Sequence, residues 1–142
     1  MSVTTAIDTN VIAALWDDDP DVSLAAEAAL EAAFRRGSLA IAAPVFAELI
    51  AAPGRTESFV SSFLEENGIV IDWNLNKSVW RSAGRAFQAY AERRRKQRDQ
   101  GTRRFLADFL IGAHAHVCGY RLLTLDEGVY RAAFPTLRLE AV

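Results

Sequence analysis

Residues 4–10 read Thr4-Thr5-Ala6-Ile7-Asp8-Thr9-Asn10 and lead into the Ala/Leu-rich segment 11–16. The β-branched residues favour a short strand, the Thr-Asn pair permits a turn, and segment 11–16 favours a helix. In an open α/β sheet, ligands bind beyond the carboxyl ends of the strands. Asp8 therefore either faces a binding site or simply caps the next helix, and capping is the commoner role of a lone Asp in this position.

The composition is that of a globular protein of ordinary domain size. The chain has 142 residues, of which 51% are hydrophobic and 24% are charged, and its net charge is −2. This length predicts one domain, over residues 1–142, with a substantial core. The negative net charge argues against a generally basic nucleic-acid coat but leaves room for a local basic patch.

Three features predict the cellular compartment. The start of the chain lacks a basic segment followed by an apolar one, so no secretory signal is expected. The apolar stretch 39–53 is interrupted by Pro44 and Glu48 and is too short to span a bilayer. The single cysteine, Cys118, permits no internal disulfide and suits a reducing compartment. We therefore expect a soluble cytoplasmic protein that does not engage a membrane.

Strand and helix candidates alternate along the rest of the chain, which is typical of an α/β fold. Glycine, proline and asparagine mark most of the boundaries between them. A last short strand, at 137–139, is expected at an edge of the sheet. The predicted strands lie at 39–42, 69–73, 120–126 and 137–139, and the predicted helices at 22–36, 45–50, 56–66, 76–97, 105–116 and 127–133.

Glu48 lies in a short helix that Pro44 opens. Val45, Phe46, Leu49 and Ile50 form its apolar face, and Glu48 falls at the margin of that face, about 60° from Val45. An acid at such a margin can face a cleft, although an ordinary surface glutamate fits the same pattern.

Asp108 and Asp126 are the other two acids in informative positions. Asp108 lies in the first turn of a largely apolar helix, where it can favour the helix dipole, pair with Arg104 one turn earlier, or be partly desolvated. Asp126 follows an apolar strand, as Asp8 does. His114 and His116, in the Asp108 helix, do not share a helical face, so a zinc pair is not expected.

The only concentrated positive charge lies around the end of the long predicted helix. A solvated helix end explains it, because cations there suit the macrodipole. A patch that contacts phosphates explains it equally well. The residues concerned are Arg93, Arg94, Arg95, Arg98, Arg103 and Arg104.

Four acids far apart in sequence thus fall where an α/β fold would expose them at one end of the sheet. Carboxylates about 4 Å apart repel one another by roughly 4 kcal/mol per pair at an effective dielectric constant near 20. Protons or hard cations relieve that repulsion, and ligands that offer only oxygen select Mg²⁺ or Mn²⁺. The four are Asp8, Glu48, Asp108 and Asp126.

At these positions the chain resembles the PIN-domain family, and in particular the small VapC-type toxin ribonucleases. The matching segments are 7–11, 45–49, 108–115 and 124–126, with Tyr130 after them, in an order that covers nearly the whole chain. Each motif is weak alone, but four in register are specific. Gly112 stands where the family often has alanine.

The resemblance implies a three-layer α/β/α fold, with a central, mainly parallel sheet of short strands flanked by helices. It also implies metal-dependent cleavage of RNA, dimerisation, and inhibition by a VapB-like antitoxin whose tail occupies the active-site groove. By matching position, the four acids would bind Mg²⁺ or Mn²⁺, while Asn10 and Thr124 would orient them or a bound water. The basic segment would hold the RNA backbone or the antitoxin tail.

Two other functions compete with this one. A phosphohydrolase of the haloacid-dehalogenase type also begins with an Asp at a strand end, but it needs a second Asp two residues later and a downstream lysine. Here position 10 is Asn, and Lys77 and Lys96 both lie in the long predicted helix. A non-catalytic module that binds RNA or protein is the third possibility, and the four intact acids argue against it.

Overall fold

The computed structural model describes residues 3–97 and 103–142. Within them the elements alternate as the sequence predicts. The strands are β1 (Thr5–Ile7), β2 (Leu39–Ala42), β3 (Ile69–Asp72), β4 (Arg121–Thr124) and β5 (Leu139–Ala141). The helices are α1 (Thr9–Leu15), α2 (Pro20–Arg36), α3 (Ala43–Ala51), α4 (Glu57–Glu66), α5 (Lys77–Gln97), α6 (Leu106–Cys118) and α7 (Glu127–Ala133).

The five strands form one sheet in the order β3-β2-β1-β4-β5, and every neighbouring pair is parallel. All residues of β1 and β2 are buried. Since successive side chains of a strand point to opposite faces, both faces of the sheet centre must be covered. This confirms the three-layer α/β/α fold.

The parallel register brings the ends of β1 and β4 together. Ile7 of β1 is the partner of Leu123 in β4, and the Asp8 amide donates a hydrogen bond to the Leu123 carbonyl at 2.9 Å. Asp8 and Thr124, the next residue in each chain segment, therefore lie side by side at the carboxyl edge of the sheet. This is the edge at which an α/β protein binds ligands.

The last strand begins two residues later than predicted. The Leu137 amide donates to the Phe134 carbonyl at 3.0 Å, which closes a turn after α7, and the Leu137 side chain is buried. Pairing with β4 then runs from Leu139 onward. The apolar Leu-Arg-Leu pattern therefore covers the two residues before β5 and the first residue of β5. The expected position of this strand at an edge of the sheet is correct.

Helix α6 carries Asp108, one of the four acids, in its first turn. Its residues 109–115 are all buried, and Gly119, in the left-handed region with φ 72°, ends it as predicted. Its partner α5 packs along it, with the Phe87 and Phe109 rings stacked at 4.9 Å. Among the described residues, no helix combines the length and the apolar character needed to cross a bilayer.

Candidate active site

Asp8 both caps a helix and lies inside the site, so the two roles considered for it are compatible. Its side chain is only 5% exposed. Oδ1 accepts a hydrogen bond from the Thr9 amide at 2.8 Å, which caps α1. Oδ2 accepts from the Thr124 hydroxyl at 2.8 Å and from the Tyr130 hydroxyl at 2.9 Å. Three donors thus fix the carboxylate in a single orientation.

Burial raises the pKa of Asp8 above its ordinary value. The hydrogen bonds from Thr124, Tyr130 and the Thr9 amide oppose that rise, and the negative charge of Asp108 adds to it. No Lys, Arg or His of the described chain forms an ion pair with Asp8. A buried carboxylate with acidic neighbours and no cationic partner gains most from a bound cation.

Asp108 sits in the first turn of α6, and its Oδ2 accepts a long hydrogen bond from the Phe105 amide at 3.3 Å. Burial raises the pKa of Asp108 as well. The Phe105 amide and the charge of Arg104 lower it, and the charge of Asp126 raises it. Asp108 therefore interacts with Asp8 on one side and with Asp126 on the other.

Arg104, which the sequence offered as a partner for Asp108, pairs with Asp126 instead. The Arg104 guanidinium lies one turn before Asp108 in sequence, yet its Nη1 donates to Asp126 Oδ2 at 2.6 Å. Only the tertiary fold places the end of β4 beside Arg104. The possible Arg104–Asp108 pair is thus replaced by a longer-range one, and Arg104 reaches Asp108 only through its charge.

Glu48 is exposed on α3, and the Thr9 hydroxyl donates a hydrogen bond to its Oε1. Thr9 therefore joins Asp8, through its amide, to Glu48, through its hydroxyl. The sequence assigned no role to Thr9, and the only signal was its position directly after Asp8.

The two supporting polar residues hold different parts of the site. Thr124 contacts an acid directly, because its hydroxyl donates to Asp8 and accepts from the Asp126 amide at 3.0 Å. Asn10 contacts backbone instead, since its Oδ1 accepts from the Leu125 amide at 3.2 Å. Asn10 thereby fixes the segment that carries Asp126.

Tyr130 is a second residue to which the sequence assigned no role. It is buried on α7, and its hydroxyl donates to Asp8. Burial raises its pKa far above the ordinary value, and the negative charges of Asp8, Asp108 and Glu48 add to this rise. Tyr130 therefore stays a protonated donor. Its spacing of one helical turn after Asp126 was the available signal, and alone it is a weak one.

The donor set fits a hard divalent cation in its chemistry. The four acids offer only oxygen, and the pKa of Asp8 and of Asp108 is raised partly by a neighbouring carboxylate. In their present positions, however, no three Asp, Glu, His or Cys side chains of the described residues are arranged to hold one metal ion. Asp126 is paired with Arg104, and Glu48 with Thr9, through one carboxylate oxygen each.

Of the basic residues, Arg104 contacts an acid, Asp126. Arg93, Arg95 and Arg103 are exposed, while Arg94 and Arg104 are half-buried; Arg98 lies outside the described residues. A cavity of about 210 Å³ beside Asp126 is lined by Tyr90, Arg93, Arg94, Gln97, Arg104, Phe109, Gly128, Val129 and Ala132. Positive and negative side chains thus adjoin at the same edge of the sheet.

The fold and this edge define a class: a parallel α/β protein with a buried acid directly after a central strand and further acids around it. Within that class the chain belongs to the PIN domain family, whose model matches residues 5–135. No curated protein is similar enough in sequence to count as a relative.

Several solved structures share the fold over nearly the whole chain. VapBC2 from Rickettsia felis, bound to a DNA fragment from its promoter, is 20% identical with a TM-score of 0.71, and the match covers 98% of each chain. VapBC-1 from nontypeable Haemophilus influenzae is 16% identical with a TM-score of 0.67, again over 98% of each chain. FitAcB from Neisseria gonorrhoeae is 21% identical with a TM-score of 0.60, over 95% of each chain.

Proposed function

We propose that this protein is a Mg²⁺- or Mn²⁺-dependent endoribonuclease, the toxin of a VapBC-type toxin–antitoxin pair. PIN domains of VapC toxins are generally nucleases that use divalent metal ions, and the chain is a PIN domain. The observation that carries the proposal is the buried carboxylate of Asp8 at the ligand-binding edge of the sheet, where the negative charge of Asp108 helps to raise the pKa of Asp8.

Asp8, Glu48, Asp108 and Asp126 would hold the metal, with Asp8 as the central ligand. When bound, a divalent ion supplies positive charge that stabilises the transition state of phosphodiester hydrolysis and makes an attacking water more acidic. Tyr130 and Thr124 hold the Asp8 carboxylate in place by donating to Oδ2. Because Oδ1 is held by the Thr9 amide, this ligand is preorganised before any metal arrives.

The two alternatives are weaker. A haloacid-dehalogenase-type reaction requires a second acid two residues after Asp8, and Asn10 instead accepts a hydrogen bond from the Leu125 amide. A non-catalytic RNA- or protein-binding module has no need of acids that repel one another at its centre. Metal titration separates that module from the nuclease.

The proposed partners are an RNA substrate, a second copy of the chain and a VapB-like antitoxin. An apolar groove of about 770 Å³ between α1, α2 and α4 suits the antitoxin, because its rim is acidic and would attract a basic amphipathic segment. Its lining includes Leu15, Trp16, Leu30, Phe34 and Phe63, with Glu27, Glu31, Glu65 and Glu66 among the polar residues. Light scattering of the purified chain tests the dimer.

The deciding experiment compares Asp8→Asn and Asp108→Asn with Asp18→Asn, an exposed acid outside the site. We expect the first two changes to abolish calorimetric Mn²⁺ binding and to lower cleavage of total RNA roughly 100-fold or more, because each removes a carboxylate ligand. Asp18→Asn should match the wild type in both assays.

Wild-type cleavage that persists in chelator would contradict the proposal, and so would equal activity of all three variants. A wild-type protein that binds Mn²⁺ but cleaves no RNA would favour the binding module instead. Circular dichroism spectra of each variant confirm that its fold is intact.

A further inference from the structure

Arg104 lies where the acidic site and the basic cavity meet. Its Nη1 is 2.6 Å from Asp126 Oδ2, and it also lines the cavity beside α5 and α7. The two side chains are only 31% and 39% exposed, which makes the contact stronger than a fully solvated ion pair. The Arg104 guanidinium therefore lies beside both the acidic site and the basic cavity.

The backbone of Arg104 is anchored. Its amide donates to the Tyr90 hydroxyl at 2.8 Å, and Tyr90 packs against Phe109 with ring centroids 5.4 Å apart. Arg94 Nη1 also donates to the Tyr90 hydroxyl, at 3.3 Å. Helices α5 and α6 therefore fix the position from which the Arg104 side chain extends, so that only the side chain itself needs to move between partners.

The cavity offers donors suited to an anion. Three arginines, one glutamine and one tyrosine line it, and no carboxylate stands among those of its lining residues that the structure describes. Guanidinium groups bind phosphate oxygens through paired N–H donors. Because the cavity adjoins Asp126, an anion inside it would lie next to the proposed cleavage site, where the neighbouring phosphate of an RNA backbone would fall.

Asp126 is also a proposed metal ligand, so Arg104 and a divalent cation would compete for the same carboxylate. Two cations at one carboxylate repel each other, which favours an exchange of one for the other. A guanidinium displaced from Asp126 has the cavity beside it, where a phosphate would accept its N–H donors.

We propose that Arg104 is a phosphate-binding residue of the basic cavity, and that its ion pair with Asp126 gives way to a backbone phosphate when a divalent cation takes that carboxylate. This inference rests on the proposed nuclease function and names a residue that couples metal binding to substrate binding. Coupling of this kind is reciprocal: the ion should strengthen phosphate binding, and the phosphate should strengthen ion binding.

The first test measures Mn²⁺ binding by calorimetry in the absence of nucleic acid. Arg104→Gln removes the competing guanidinium, whereas Arg81→Gln removes an equal charge from an exposed residue near the start of α5. We expect Arg104→Gln to bind Mn²⁺ about 5- to 10-fold more tightly than the wild type, within the usual range of coupling between two sites. Arg81→Gln should stay within about twofold, because a distant exposed charge is screened by solvent.

The second test measures binding of a short single-stranded DNA oligonucleotide by fluorescence anisotropy, with its integrity checked on a gel. This probe carries the phosphodiester backbone without the 2′-hydroxyl. Added Mn²⁺ should tighten its binding to the wild type and to Arg81→Gln by about 5-fold or more. Arg104→Gln should lose that increase. Arg104→Met, which also removes the charge, replaces Arg104→Gln if the latter melts more than a few degrees below the wild type.

The outcomes separate this inference from the proposed function. A wild-type protein that binds no Mn²⁺ overturns both. A wild-type protein that binds Mn²⁺ with the same affinity as Arg104→Gln overturns the exchange and leaves the nuclease proposal standing. Tighter Mn²⁺ binding by Arg104→Gln with an unchanged response to the oligonucleotide overturns the phosphate-binding role of Arg104.

Discussion

At the scale of the residue, Asp8 shows how one side chain serves folding and chemistry together. The Thr9 amide and two hydroxyl groups fix its carboxylate. These hydrogen bonds do not fully offset the desolvation of the buried carboxylate, so the pKa of Asp8 stays raised. An ionised Asp8 in the metal-free fold is therefore less favourable than in the unfolded chain, and stability is given up for a prepared ligand.

The sign of the pH dependence follows from that raised pKa. Because the folded state binds the proton more tightly than the unfolded state, metal-free stability is lost as the pH rises through the folded pKa of Asp8. Asp108 contributes in the same direction, since its pKa is also raised. The metal-free protein should therefore unfold at progressively lower denaturant concentration as the pH rises above the ordinary pKa of an aspartate.

Asp8→Asn should raise the free energy of unfolding of the metal-free protein at pH 7.5, because the amide carries no charge to desolvate. It should also flatten the pH dependence. Urea denaturation in chelator at a series of pH values from 4 to 7.5 measures both effects, with Asp18→Asn as the control. An Asp8→Asn protein less stable than the wild type at pH 7.5 would show that the hydrogen bonds outweigh desolvation.

At the scale of the element, helix α6 depends on a glycine. A Cβ on Gly112 would lie 2.4 Å from Phe134 Cε2 and 3.0 Å from Tyr130 Cδ1. Gly112 therefore allows the close approach of Tyr130 on α7 and of Phe134, which ends that helix, and Tyr130 in turn holds Asp8. The departure from the alanine common in the family thus has a packing reason.

Gly112→Ala and Gly84→Ala form a matched pair. Both glycines lie in helices, where alanine is intrinsically better by about 1 kcal/mol, but a Cβ on Gly84 would meet nothing within 4 Å. Gly84→Ala should stabilise the protein by about 0.5–1 kcal/mol. Gly112→Ala should destabilise it by about 1–3 kcal/mol, because the buried rings must shift. Thermal melts measure both, and stabilisation by Gly112→Ala would contradict this account.

At the scale of the whole molecule, the charges are divided between regions despite a net charge of only −2. Basic side chains surround the cavity beside Asp126, while glutamates border the apolar groove between α1, α2 and α4. Such a division directs different partners to different surfaces. A phosphate backbone fits the first region, and a basic amphipathic segment fits the second.

Phe34→Asp tests the groove against Leu24→Asp. Both side chains are exposed on α2, at 60% and 61%, but only Phe34 lines the groove. On co-expression with a small DNA-binding protein encoded beside this one, Phe34→Asp should reduce co-purification of that protein at least tenfold, because an apolar anchor is replaced by a charge. Leu24→Asp should have little effect. Equal retention by both variants would place the partner elsewhere on the molecule.

Local patterns were sufficient for most elements. Three of these local signals are the β-branched run before Asp8, Pro44 at the start of α3 and Gly119 at the end of α6. Each acts within a few residues of its own position. The strand β5 was displaced by two residues because the buried Leu137 closes a turn onto Phe134. That shift depends on contacts with α7, which periodicity does not contain.

The sequence by itself determined the α/β alternation, the parallel sheet through the family resemblance, and the positions of Asp8 and Asp126 after their strands. Those features arise from neighbours along the chain. Only the tertiary structure decided that Arg104 pairs with Asp126, that Tyr130 donates to Asp8, and that His114 meets Asp72 at 2.7 Å from 42 residues away. Each of these contacts joins separate elements, and their partners are chosen by the register of the sheet and the packing of helices upon it.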